Sequence, residues 1–224
     1  QAAHFLDQAT FGPTAADVDR VMAVGYDQWL ADQFAAPESP MPDGLDVSGV
    51  RNQLFMNMAT GEDQLRQRMI FALSQIIVIS ANKNDSGSQL APWVRLLSRH
   101  AFGNFRTLIR DVTLNPTMGN YLDNVFNRCT RNATTCPNGL TTSVPNENYA
   151  RELLQLFTLG LWELHPNGTV RLDPQGRPIP TYSQETLVEY ARALTGWTYA
   201  RLNNQNDYLS DMVPSMTTGS PPVP

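Results

Sequence analysis

Apolar residues along this chain recur mainly at the three- and four-residue spacing of amphipathic helices, from the first residues to about position 194. The pattern predicts a mainly α-helical single domain over residues 1–200. The predicted helices are His4 to Thr10, Ala15 to Met22, Tyr26 to Phe34, Val50 to Ala59, Glu62 to Ser80, Gln89 to Ala101, Phe105 to Leu114, Pro116 to Asn124 and Ser183 to Leu194.

The longest of these helices, Glu62 to Ser80, ends in three turns that are apolar on every side. A helix of that kind is usually buried at the centre of a fold rather than lying on its surface. We therefore expect a multi-helix array around this helix. Shorter helices carry ordinary end signals, such as Thr14 as an N-cap and Gly25 as a stop.

Two regions depart from the helical pattern. Residues 161–180 alternate between apolar and polar positions around two tight turns, at Asn167-Gly168 and Gln175-Gly176, which predicts a small β-ribbon. Residues 201–224 are polar and rich in Pro, Ser and Thr, without periodicity. This composition predicts a disordered or irregular tail, or the start of an insertion.

Composition narrows the function classes. The chain has 224 residues, 42% of them hydrophobic, which suffices for a substantial core. Its net charge is −5 and it has no basic block, so nucleic acid and anionic membrane are poor partners. The longest apolar run, residues 76–79, is too short for a transmembrane segment. No signal-like segment begins at Gln1, so we expect any export signal to lie outside this chain.

Cys129 and Cys136 flank a short polar stretch within a long predicted loop, 125–145. A disulfide between them would contribute about 2.5 kcal/mol by the loop-entropy model and would imply an oxidising compartment. The alternative is a pair of free thiols in a cytosolic loop. Zinc is disfavoured because no histidine lies nearby.

The segment from Asn146 to Gly160 is the best candidate for a functional site. Its first turns are polar and its second half is apolar. Glu147 and Arg151 are four residues apart, as are Asn148 and Glu152, so each pair shares a helix face.

Three interpretations of this segment remain open. The first is a surface ion pair contributing a few tenths of a kcal/mol. The second is a buried polar network with Arg66 or Arg68 and with Arg192 or Glu189. The third is a ligand site, with Glu147 or Glu152 as general base or metal ligand and Arg151 holding an anionic group. The catalytic candidates are Glu147, Arg151 and Glu152, and the binding candidates are Asn148, Tyr149, Arg66, Arg68, Asp123 and Arg192.

Other motifs in the chain give weaker indications of function. The chain contains no Gly-x-Ser-x-Gly elbow, phosphate loop, dinucleotide fingerprint or His-Glu-x-x-His, so the common hydrolase, kinase and dehydrogenase templates gain no support. His100 is better explained as a structural or capping residue than as a base. The oxygen-bearing residues from Asn120 to Asn127 match no EF-hand spacing and favour turn and cap chemistry over Ca²⁺. No particular metal or cofactor is indicated.

Several local motifs occur together in one order. They are His4 to Pro13, Arg66 to Arg68, Arg99 to Phe105, Asn115 to Met118, Glu147 to Glu152 and Ala193 to Thr198. In this combination the chain resembles the bacterial domain of unknown function 1800 family over residues 1–200. The resemblance implies an exported protein, often encoded beside an exported sulfatase/phosphatase-like partner, and a family C-terminal portion that this chain lacks. It carries over no activity and no catalytic residues.

Two function hypotheses follow. The first is an exported enzyme-like domain whose polar pocket, formed by Glu147, Asn148, Arg151 and Glu152, acts on an extracytoplasmic polymer or its fragments. Arg66, Arg68 and Asp123 would lie opposite. The second is a non-catalytic cell-surface binding or assembly scaffold in which the same residues form a structural polar network.

Overall fold

The computed structural model describes residues 1–128, 145–202 and 205–214. The chain divides into two compact units, Gln1–Val112 and Thr113–Pro224. Throughout the described residues the fold is mainly α-helical, as predicted.

The first unit is helical. Its helices are α1 Ala2–Ala9, α2 Ala15–Val24, α3 Tyr26–Ala35, α4 Val47–Thr60, α5 Gln64–Ile76, α6 Gly87–Arg99 and α7 Phe105–Leu114, the last of which continues two residues past the division. One core cluster joins α1, α2 and α3 through Leu6, Ala9, Val21 and Trp29. A second cluster joins α4 and α6.

The ends of these helices follow from local chemistry. Thr14 and Asp17 form a reciprocal capping box at the start of α2, as the sequence indicated. Gly25 ends that helix with a φ of 83°, a conformation that favours glycine. Asp46 caps α4 by accepting a hydrogen bond from the backbone N–H of Gly49.

The prediction of a helix buried on every side is wrong for α5. The helix ends at Ile76 rather than Ser80, and Phe71 and Ile76 are 41% and 48% exposed. Its buried face is instead half polar, since Arg66 and Gln67 lie there beside Ile70 and Leu73. The run of apolar residues did not predict which face of α5 is buried, because the polar residues of its first turns are buried with hydrogen-bonding partners inside the unit.

The second unit contains α8 Pro116–Tyr121, α9 Asn148–Glu152, a π-helix Leu153–Thr158 and α10 Gln184–Ala193. Asn115 caps α8 by accepting from the N–H groups of Thr117 and Met118. Ser183 caps α10 as predicted. A core cluster of Ala150, Leu154, Leu187 and Ala191 holds α9 and the π-helix against α10.

The predicted ribbon is present as three antiparallel bridges, Trp162 with Pro180, Leu164 with Val170, and Leu172 with Pro178. Its apolar side chains remain exposed; Trp162 is 42% and Leu164 is 56% accessible. Trp29 and Trp93, in contrast, are core residues, 5% and 3% exposed.

Part of the region predicted as an irregular tail forms strands. The strands are β1 Trp197–Thr198, β2 Ala200–Leu202, β3 Gln205–Asp207 and β4 Val213–Pro214. They pair antiparallel as β1 with β4 and β2 with β3. Met212 is 3% exposed, and its backbone N–H donates to the carbonyl of Leu114 at 2.7 Å, so this part of the tail is packed.

Candidate functional site

The segment singled out by the sequence changes its helical geometry midway. It is α-helical over Asn148–Glu152 and becomes a π-helix over Leu153–Thr158, where the N–H of Leu159 donates to the carbonyl of Leu154 at 2.9 Å. π-helical turns are rare and occur frequently at functional sites. The sequence predicted one continuous helix, and nothing in its residue spacing signalled the change.

The start of the segment is tied to residue Asn127. The side-chain amide of Asn127 donates to the carbonyl of Asn146 at 3.1 Å, and its oxygen accepts from the N–H of Asn146 at 2.8 Å. The backbone carbonyl of Asn127 also accepts from the N–H of Gly196. One buried asparagine thus fixes where this segment enters the unit.

Glu147 and Arg151 form the ion pair that their spacing predicted. Arg151 Nη2 lies 2.7 Å from Glu147 Oε2, and the two side chains are 43% and 29% exposed. Gln184 of α10 donates its amide to both carboxylate oxygens of Glu147 at 3.2 Å. Gln184 was missed by sequence reasoning because it directly follows the N-cap Ser183 and resembles an ordinary first-turn residue.

Asn148 and Asp123, both predicted as binding residues, lie together. Asn148 Nδ2 donates to Asp123 Oδ2 at 3.3 Å. Asp123 has a φ of 58°, so it is one of the few non-glycine residues here in the left-handed region. Its side chain is presented from a tight turn after α8.

Tyr149, another predicted binding residue, is a core residue. It is 1% exposed, and its hydroxyl shares a 2.7 Å hydrogen bond with the hydroxyl of Thr113. Burial raises the pKa of Tyr149 well above its ordinary value, with the Thr113 contact acting weakly in the opposite direction. In this structure Tyr149 packs rather than presenting its hydroxyl to a ligand.

Glu152 differs from the other charged residues of the segment. Its Oε2 is buried and has no hydrogen-bond partner among the described residues. In the same unit both amide atoms of Asn124 and the hydroxyl of Tyr182 are also buried without partners. A buried polar atom that makes no hydrogen bond costs about 1–3 kcal/mol, and a charged one costs more. Such atoms therefore require a structural or functional explanation.

The remaining predicted residues are placed elsewhere. Arg192 pairs with Glu189 of its own helix, three residues away. Arg66 and Arg68 belong to the first unit. There Arg66 donates to the carbonyl of Ser98 and lies over the Phe102 ring, and Arg68 donates to the carbonyl of Gln8. The predicted Cys129–Cys136 disulfide lies outside the described residues.

His100 has the structural role that the sequence favoured. Its Nε2 lies 2.8 Å from Asp111 Oδ2, which ties the end of α6 to α7. Within residues 1–128, 145–202 and 205–214 no group of three or more His, Cys, Asp or Glu is arranged to hold a metal ion. Nor does this part of the chain contain a helix long and apolar enough to cross a bilayer.

A family model described as "Protein of unknown function (DUF1800)" matches residues 4–217. The chain belongs to the DUF1800 family. The match covers the Asn146 segment, the ribbon and α10, so these are parts of the DUF1800 domain rather than additions to it. No curated protein and no solved structure matches the chain.

Proposed function

We propose that the second unit of this DUF1800 protein is an enzyme-like domain in which Glu152 exchanges a proton with a bound polar ligand. The observation that carries the proposal is the buried, unpaired Oε2 of Glu152 at the junction of α9 and the π-helix. A carboxylate oxygen without a partner is available to a donor brought by a ligand. In that role the Glu152 carboxylate accepts a proton from a hydroxyl group or water and becomes the neutral acid.

Arg151, which directly precedes Glu152, would position the ligand. Glu147 is fixed by Arg151 on its own helix and by Gln184 on α10, which leaves its partner Arg151 oriented and 43% exposed. A guanidinium has five N–H donors, and the contact with Glu147 engages only part of them. The others can bind a carbonyl, carboxylate or phosphate oxygen of a ligand.

Support for the proposed substrate class comes from the family resemblance rather than from the contacts of Glu152. We propose an extracytoplasmic polymer or its fragments as substrate, because the family resemblance implies export. A Cys129–Cys136 disulfide, a secreted or periplasmic location and a sulfatase/phosphatase-like partner are parts of the same proposal. The exposed Trp162 on the ribbon adds a flat aromatic surface of the kind that packs against a sugar ring.

A second candidate function is favoured by the residues of this segment whose side chains are bonded to one another or to neighbouring elements. Asn127 with Asn146, and Glu147 with Arg151 and Gln184, are internal contacts that fix helix positions. These contacts suit a non-catalytic binding or assembly scaffold. Under that alternative Glu152 would contribute to packing, and no turnover would depend on it.

The test is a screen of the intact protein against glycan and ester substrates, with Glu152→Gln as the variant. Loss of a general acid or base lowers turnover by about 10²- to 10⁴-fold. The matched control is Glu189→Gln, which removes the same charge from a half-exposed side chain on α10. We expect Glu189→Gln to retain turnover. Equal turnover by wild type and Glu152→Gln would exclude the proposal.

A further inference from the structure

A cleft of about 200 Å³ lies within the first unit, between α4, α5 and α6 and the loop that precedes α4. Its lining includes Glu38, Ser39, Asn57, Gln67 and Ser98. This cleft involves none of the residues assigned above to the proposed function. Its chemistry can therefore be argued independently.

Gln67 is the decisive residue of the cleft. It is 1% exposed, and its amide Nε2 donates to Asp63 Oδ2 at 3.0 Å. That contact fixes the orientation of the carboxamide and leaves Oε1 as a buried acceptor with no hydrogen-bond partner among the described residues. A residue that lines the cleft thus carries a fixed, buried hydrogen-bond acceptor that requires a donor.

The hydroxyl groups of the lining are already engaged as donors. Asn57 donates one N–H to the carbonyl of Pro40 and accepts from Gln53, which fixes the orientation of its amide. The hydroxyls of Ser39 and Ser98 donate to Asp63 and Glu38 respectively. After these contacts the acceptors left in the lining are hydroxyl lone pairs, the Gln67 oxygen and the Glu38 carboxylate, beside unused N–H groups of Asn57 and Arg95.

The local charge favours a cation. Glu38, which is 48% exposed, is only loosely paired with Arg66, with 3.6 Å between Oε1 and Nη1. Arg95, the lining residue with a positive charge, donates to the carbonyl of Met41 and to Asp43 at 2.8 and 2.7 Å. The described residues offer no three-ligand metal group here or elsewhere. An organic ammonium, which donates three hydrogen bonds, fits better than a metal ion.

A larger cleft of about 540 Å³ in the same unit differs in how its polar residues are hydrogen-bonded. Several polar residues in its lining are bonded to one another or to backbone. Asp17 accepts from Thr14, Arg20 pairs with Asp32, and Gln64 donates to the carbonyls of Met58 and Gly61. No atom of these five side chains is buried without a partner. Of these two clefts, the smaller one is lined by a residue whose buried acceptor has no partner among the described residues.

We propose that the Glu38–Gln67 cleft is a binding site for a small primary ammonium compound, held by Gln67 Oε1 and the Glu38 carboxylate. The volume suits a ligand of a few heavy atoms. The competing explanation is an ordered water, which commonly satisfies a buried acceptor of this kind.

The experiment is a titration of the ¹⁵N-labelled intact protein with n-propylammonium chloride, followed through the Gln67 side-chain amide signals. n-Propanol serves as the neutral ligand of the same size, and sodium chloride matches the ionic strength. We expect a saturable shift of the Gln67 signals with the ammonium compound and none with the other two. Absence of saturation, or an equal response to n-propanol, would leave an ordered water only and overturn the proposal.

Two variants, each of which removes one negative charge, test whether Glu38 itself contributes to propylammonium binding. Glu38→Gln neutralises the cleft carboxylate while keeping an acceptor for Ser98, and we expect it to weaken propylammonium binding by about tenfold or more, as for loss of a charge-assisted hydrogen bond. Asp19→Asn removes the same charge from an exposed position on α2 and should leave binding unchanged. Because Glu38 is half-exposed, its variant is expected to fold, which thermal melting checks. Equal weakening by both variants would mean a general field effect and would also overturn the proposal.

Discussion

Asp63 in the first unit and Glu152 in the second are both acidic residues with buried oxygens, but their surroundings differ. Asp63 is fully buried and accepts from the N–H and hydroxyl of Ser39 and from the amide of Gln67. Arg66 Nε lies 3.8 Å from the same carboxylate. Glu152 has a buried Oε2 with no partner among the described residues.

The difference separates two uses of an acidic residue. A carboxylate surrounded by donors holds chain segments together, and removing it leaves those donors unpaired. A buried carboxylate oxygen without donors contributes nothing to the fold through that atom and is retained at an energetic cost. We infer that Asp63 is structural and that Glu152 is kept for a ligand.

The largest expected effect is at Asp63. Replacing Asp63 with Ala leaves Ser39 and Gln67 without their acceptor and removes one of the two carboxylates beside Arg66, whose pair with Glu38 at 3.6 Å remains. We expect the free energy of unfolding to fall by about 3–5 kcal/mol, the usual effect of removing one partner of a buried charged pair. Denaturant unfolding measures it. Asp19→Ala on the exposed face of α2 is the control and should change little, and a similarly small loss at Asp63 would break the comparison.

A smaller effect is expected at Tyr149, the buried neighbour of the proposed site. Tyr149→Phe removes the hydrogen bond to Thr113 and should cost about 1 kcal/mol in unfolding free energy. Tyr190→Phe, at a 45% exposed position on α10, is the control and should cost less.

The alkaline pH dependence of stability tests the same residue. Burial raises the pKa of Tyr149 in the folded state, so the unfolded chain ionises first. Its contribution is therefore complete below the ordinary tyrosine pKa of 10.0 and is lost as the pH rises above that value. We expect Tyr149→Phe to flatten this alkaline decline in unfolding free energy. Part of the decline should remain, because burial also raises the pKa of Tyr199. An unchanged slope would mean that Tyr149 is not buried in solution.

A still smaller effect is expected for the Glu147–Arg151 pair. Both side chains are partly exposed, so a double-mutant cycle with Glu147→Gln and Arg151→Met should give a coupling of about 0.3–0.5 kcal/mol that weakens with salt. A coupling of several kcal/mol would assign the pair to a buried structural network. It would then resemble Asp63 rather than a ligand-facing surface.

Much of the fold was predictable because it depends on local signals. Thr14, Gly25 and Ser183 mark helix ends through capping chemistry that involves only neighbouring residues. The α5 helix was misjudged since its burial depends on partners distant in sequence, such as Ser98 for Arg66. The strands from Trp197 onward were missed because each is only two or three residues long, too short for an apolar alternation to be recognised.

The candidate site was only partly predictable. Spacing predicted the Glu147–Arg151 pair correctly, because residues four apart on a helix face the same way. It gave no indication of Gln184 or of the π-helix, which depend on how α10 packs and on hydrogen bonding within the segment. Nor does sequence distinguish a paired from an unpaired carboxylate. That distinction between Asp63 and Glu152 required coordinates.

The most direct measurement of the central claim is the unfolding free energy of Glu152→Gln and Glu152→Leu, compared with wild type by denaturant titration. Because Oε2 has no hydrogen-bond partner among the described residues, neither variant should be less stable than wild type by more than about 1 kcal/mol, and the apolar variant should be the more stable of the two. A loss of several kcal/mol in both variants, comparable to that of Asp63→Ala, would contradict the account. It would make Glu152 a second structural carboxylate.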